Sequence, residues 1–200
     1  MIDNEQNYYQ ITRIDGRNSF VESLWDSFQF SRFHLCFVSY DTSRPAGERQ
    51  IGSVNIYIDA GDFLNLLRRL SSGELEYTAQ AKKQAGDQSP LFEVLGGTSA
   101  EKLAKYGKPR PDRMSLSRTA QLLPGKKTDF LFVAKSGPGQ QNEKGLIVPR
   151  FGNQPENRVS VPLTAAALTK LLALSEKHYE AWLTAMYTSR STQQFEYKAN

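Results

Sequence analysis

The chain has 200 residues, a formal net charge of +4 and a single cysteine, Cys36. That length fits one large domain or two small interlocked halves. Eleven Phe, nine Tyr and two Trp supply enough apolar surface for a core, which excludes disorder throughout. One thiol excludes an internal disulfide framework and argues against a cysteine metal site, and the mild positive charge permits a polyanionic partner without requiring one.

Residues 1–10, MIDNEQNYYQ, are polar and acidic, unlike a signal peptide. No apolar run reaches the ~20 residues that cross a bilayer, so the expectation is a cytoplasmic protein with no membrane partner. Residues 8–14 read as a first strand, ended by the turn signal Asp15-Gly16. Residues 28–40, FQFSRFHLCFVSY, make the longest apolar strand candidate. Phe33, Leu35 and Phe37 share one face, and His34, Cys36, Val38 and Tyr40 share the other. This pattern fits a central strand covered on both sides, or one whose second face receives a ligand. A turn-rich loop with Arg44 and Arg49 follows.

In residues 54–58, Val54, Ile56 and Ile58 alternate with Asn55 and Tyr57, the period of a half-buried strand. Asp59 ends the alternation and is placed to cap a helix whose apolar residues, Phe63, Leu66, Leu67 and Leu70, lie on one face. Ser71-Ser72-Gly73 is a stop signal, although residues 75–84 are again helix-compatible. AGDQSP, residues 85–90, is a linker. Residues 91–95 predict a short strand, and 96–111 a mobile loop with a helical turn at 99–105. Three strand candidates follow at 113–120, 128–135 and 146–151, with SGPGQQNEKG, residues 136–145, as a flexible hairpin tip. After a turn at 154–157, Val159, Val161 and Leu163 alternate, Thr164 is placed to cap, and Leu168, Leu171, Leu172, Ser175, Tyr179, Trp182 and Met186 trace a helical stripe suited to the core or a subunit contact. A polar tail closes the chain at 188–200.

The two strand-to-helix junctions align. Val54 meets Val159, Ile56 meets Val161, Ile58 meets Leu163, Phe63 meets Leu168, and Leu66-Leu67 meets Leu171-Leu172. The alignment predicts an internal repeat, with units at 8–84 and 91–187 packed as one domain.

Catalytic signals are absent. His34 and His178 lack a carboxylate at metal-ligand spacing and read as a satisfied structural histidine and a surface one. Neither a GxSxG elbow nor a phosphate-binding GxxxxGK[ST] loop occurs. The expectation is a non-enzymatic protein without cofactor or metal.

The basic residues are uneven. Lys102, Lys105, Lys108, Arg110, Arg113, Arg118, Lys126 and Lys127 share a window with a single acid, Asp112, which gives +7 over 102–127. Such a run is either a solvated surface or a phosphate-binding strip. Interleaved aromatics and hydroxyls favour the strip, because single-stranded nucleic acid offers base faces as well as phosphates.

Strands followed by a helix, then strands followed by a helix, resembles the Whirly family and the positive cofactor four class of single-stranded DNA-binding proteins. The resemblance is one of architecture and covers most of the chain. It implies an α+β fold of two antiparallel sheets, each followed by a helix, and sequence-tolerant binding of single-stranded DNA, with RNA as the variant. Similar proteins occur in bacteria, including on phages and mobile elements, and act in transcription regulation. The binding residues expected here are Arg44, Arg49, Arg113, Ser115, Ser117, Arg118, Lys126, Lys127, Phe130, Phe132, Lys135 and Arg150, with Phe130 and Phe132 equally suited to the core. The rival expectation is a protein-interaction scaffold that assembles through sheet edges and the C-terminal helix, the same helix that would join a homo-oligomer.

Overall fold

The computed structural model describes residues 8–199, with side chains through position 189. It is α+β, with two antiparallel sheets. The first sheet holds β1 (Gln10–Asp15), β2 (Ser19–Leu24), β3 (Arg32–Tyr40) and β4 (Gln50–Asp59), neighbours in chain order. Strand β2 was not assigned from the sequence. Its residues Phe20, Glu22 and Leu24 face away from Val21 and Ser23, an alternation hidden by its short length. β3 also starts later than its apolar run, because Phe28–Phe30 is a 3-10 turn closed by Ser31 at φ 54°.

After β4 come α1 (Ala60–Ser71) and α2 (Glu74–Ala85). Gly73, at φ +77°, ends the first, and the helical pattern resumes at once. The second sheet holds β5 (Phe92–Thr98), β6 (Ser115–Pro124) and β7 (Phe130–Gln141), and α3 (Ala100–Lys105) lies between β5 and β6. The outer edge of β7 carries two strands. β9 (Asn157–Leu163) pairs with residues 130–136, and β8 (Ile147–Pro149) pairs with residues 139–141. β7 therefore runs on where a flexible tip was expected, and the turn narrows to 142–146. There Asn142 Oδ1 accepts the amides of Lys144 (3.0 Å) and Leu146 (2.9 Å).

The last helix, α4 (Ala165–Ala199), continues through the segment expected as a polar tail, since no Gly or Pro after Thr164 breaks it. Its start is capped as the sequence predicts: Thr164 Oγ1 accepts the amide of Ala167 at 3.1 Å. The start of α1 is not. Asp59 makes no side-chain cap bond and instead accepts from Arg32 Nε at 3.1 Å.

Directly opposed residues of an antiparallel pair share a face. In the first sheet the inward rows are Val21–Phe37–Val54, Leu35–Ile56 and Phe33–Ile58. In the second they are Ala120–Ala134–Val159, Leu122–Phe132–Val161 and Phe130–Leu163. None of these residues is more than 1 % exposed. The residues matched by the sequence repeat thus occupy matching rows. The two inner faces meet at Phe37 and Phe132, whose rings pack edge-on at 5.0 Å.

Helices close the rest of the core. Phe63 of α1 stacks on Phe33 at 3.8 Å, and Tyr179 of α4 lies 5.1 Å from both Phe28 and Phe33. Ser175 Oγ, fully buried, is 2.6 Å from Ser23 Oγ and 2.7 Å from the Leu171 carbonyl oxygen, so its polarity is satisfied. No helix among the described residues is long and apolar enough to cross a membrane.

Candidate nucleic-acid interface

The same registers fix the outward face of the first sheet. Its rows are Phe20–Val38–Ser53, Arg13–Glu22–Cys36–Asn55 and Leu24–His34–Tyr57. Unlike the inner face it is open, with a shallow groove of about 530 Å³ over Phe20, Cys36 and Val38. The Arg13 guanidinium lies 3.5 Å above the Phe20 ring and bonds Asp15 Oδ1 at 2.6 Å. Burial raises the Glu22 carboxyl above its ordinary range, with Arg13 opposing. Burial also pushes the Cys36 thiol up to about 12, so it stays protonated at neutral pH.

At one corner of this face the side chains form a rigid stack. His34 is 5 % exposed because Tyr57 lies on its ring, 4.4 Å away and tilted by 24°. Both His34 nitrogens are engaged, Nδ1 with Asp26 (2.9 Å) and Nε2 with Asn55 Oδ1 (2.9 Å), which is the satisfied histidine that the sequence predicts. Tyr57 itself is 42 % exposed and fixed from beneath. Burial raises the Tyr57 phenol pKa, and Asp26 adds to the rise.

Beside Tyr57, the edge of β4 overhangs the second sheet and leaves a cleft of about 280 Å³. Arg118 lines it. In β6, Arg118 falls in the inward phase of Leu116, Ala120 and Leu122, so it occupies an apolar position one row past Val94–Ala120–Ala134. Its row partner Gly96 has nothing within 4 Å of where a side chain would start, and this keeps the cleft open. Arg118 Nη1 donates to Thr98 Oγ1 at 2.9 Å, and among the described residues the guanidinium has no carboxylate partner. Burial depresses its pKa, and Tyr57 acts in the opposite sense. The Asp59–Arg32 pair lines the same cleft.

The neighbouring Gly97 has a structural reason of its own. It sits at φ +154°, where a Cβ would strike the Leu116 carbonyl. Together with Gly137 and Gly139 it lets the second sheet curl until Ile147 and Phe151 close over its outer face.

That curl corrects several expectations. Ser115 and Ser117 are buried, at 7 % and 0 %, under the strands that follow them. Ser115 Oγ accepts the Ala100 amide at 3.2 Å, and Ser117 Oγ has no partner. Phe130 and Phe132 take the core alternative that the sequence left open: on the inner face of the sheet they are fully buried and present no stacking surface.

The +7 window does not gather into one strip. Arg110 is bound to Asp112 (2.7 Å) and Glu156 (2.6 Å), and its bonds to them hold both carboxyls below their ordinary range. Arg113, exposed at φ 56°, precedes β6, whereas the exposed Lys126 and Lys127 follow it. The ten residues of β6, at about 3.3 Å each, put those two sites some 30 Å apart. Arg44 and Arg49 are exposed together in the β3–β4 loop, where Arg49 Nε donates to the Arg44 carbonyl at 3.2 Å. Lys135 is half-buried opposite Thr119 and Arg158 on the outer face of β7, and the exposed Arg150 lies by the β7–β8 turn.

Of the predicted set, Arg118 alone lines the cleft beside Tyr57. Sequence reasoning passed over Tyr57, Asn55, Arg13 and Phe20. One signal was present: Arg118 stands in the apolar phase of its strand, where a charge is costly unless it has a purpose. The chain matches no protein-family model, no curated protein and no solved structure.

Proposed function

We propose that the protein is a non-enzymatic single-stranded DNA-binding protein, with RNA as the variant. The strand crosses the outward face of the first sheet and passes over the cleft at β4. The observation that carries this reading is Arg118. A half-buried guanidinium with no carboxylate partner among the described residues, next to an aromatic ring braced from below, is arranged for a ligand that brings its own acceptors and a flat face. On the same face Arg13, paired with Asp15 and lying over Phe20, adds a positive charge along the path of the strand. Two runs of strands, each ending in a helix, support the likeness to the Whirly and positive cofactor four architecture, in which sheets meet the nucleic acid and helices hold the core. The interface proposed here is nevertheless this chain's own, built on β2, β3, β4 and β6.

The test is a titration of labelled oligo-dT across a salt series. Four or five neutralised phosphates give a slope of log K against log salt of about −3 to −3.5, from roughly 0.7 per phosphate on a single strand. No binding, or binding without a slope, overturns the proposal.

A second reading has its own observation. α4, at about 1.5 Å per residue, is some 50 Å long, and Tyr179 is the last of its buried residues among those described. The helix beyond it suits assembly with another copy of the chain. Loss of a larger species in Trp182→Ala, read by light scattering, supports that reading, and an unchanged mass removes it.

A further inference from the structure

We infer that the cleft between β4 and β6 is a single-base site that prefers guanine. The inference rests on the single-strand reading and adds a base preference to it.

The walls of the cleft decide between its candidate occupants. A phosphate would meet Arg118, but the rest of the lining is the Asp59–Arg32 pair, which compensates its own charge, and the apolar side chains Val94, Leu95 and Ile147. Those apolar walls offer a phosphate no further donors and suit a flat neutral ring. The exposed ring of Tyr57, held by His34, offers a stacking face of that size. Volume agrees, since about 280 Å³ lies at the small end of ligand sites, near 300 Å³.

The polar groups then select among bases. Arg118 has spent one nitrogen on Thr98, and the remaining donors match paired acceptors, the O6 and N7 that guanine alone presents on one edge. Asp59 lines the same cleft and accepts hydrogen bonds, which complements the N–H groups on the other edge of guanine. Thymine and adenine each lack one of these patterns.

Gly96 makes the inference testable. It faces open space on the Arg118 side and its backbone is not in the left-handed region, so Gly96→Leu fills the cleft without strain. The experiment compares dT12 with the same strand carrying one central dG or one central dA, bound to wild type, Gly96→Leu and Arg118→Gln. Thermal melts check that each variant folds. Wild type is expected to bind the dG strand about tenfold more tightly than the other two. In both variants the ratio falls to about one, whatever happens to absolute affinity.

Equal binding of all strands by wild type overturns the guanine site and leaves the single-strand reading standing. So does a preference that survives Gly96→Leu. If no strand binds, the single-strand reading falls, and guanosine monophosphate against adenosine monophosphate, followed by calorimetry, decides the cleft separately. Guanosine monophosphate binding that Gly96→Leu abolishes upholds the site, and its absence overturns it.

Discussion

Two neighbouring glycines differ in what they allow. Gly97 takes φ +154° and leaves no room for a methyl group beside the Leu116 carbonyl, whereas Gly96 faces empty space. Gly97→Ala should therefore lower the unfolding free energy by several kcal/mol, on the order of 1–3 for the backbone alone, while Gly96→Ala stays within about 0.5 kcal/mol of wild type. Urea melts of the two variants, made in parallel, check the contrast. Tyr57→Ala tests the platform. The ring is 42 % exposed and covers His34, so its loss should lower the melting temperature modestly while the protein stays folded, and weaken single-strand affinity by about 1–3 kcal/mol. Glu22 gives the pH dependence. Burial raises its pKa in the fold, so its contribution to stability is fully present below the unfolded value of 4.5 and is lost as pH rises through the raised one. Glu22→Gln should flatten the decline of stability as pH rises above about 4.5, measured as melting temperature across a buffer series.

At the scale of elements, the two helix starts carry the clearest comparison. Thr164 and Asp59 hold equivalent places in the repeat, yet Thr164 caps α4 and Asp59 bonds Arg32. Thr164→Ala should cost about 1 kcal/mol, the usual loss of an N-cap. Asp59→Ala should cost less, because an exposed ion pair contributes about 0–1 kcal/mol. Chemical denaturation of both variants measures the difference. The strands show why some elements were legible and others were not. β3, β4 and β9 carry strong alternation with one face of Phe, Val, Ile or Leu, and their inward residues were named correctly. β2 has three inward residues, Ser19, Val21 and Ser23, two of them polar, so its period gave little to read. β7 beyond Lys135 contains Gly137, Pro138 and Gly139, residues that normally end a strand. Here they continue it, because small residues let the sheet curl under Ile147 and Phe151.

Over the whole molecule, one buried cluster takes in both sheets, α1 and the first part of α4. Phe132 of the second sheet touches Phe37 of the first. Phe132→Ala should cost about 3–5 kcal/mol. Both tryptophans lie outside the second sheet, at Trp25 and Trp182, so a single shifted transition in their fluorescence would report that damage there unfolds the first sheet too.

The sequence by itself determined the α+β class, the strand-to-helix junctions and the inward residues of the strongest strands. These are local facts, carried by a period of two giving way to a period of 3.6. It could not decide which charges and rings would be neighbours. That depended on the curl of the second sheet, which buried Ser115 and Ser117, on ion pairing, which bound Arg110 to Glu156 forty-six residues away, and on the overhang of β4, which set Tyr57 beside Arg118. Each is a contact between distant parts of the chain, and a periodicity read along the chain holds no record of it.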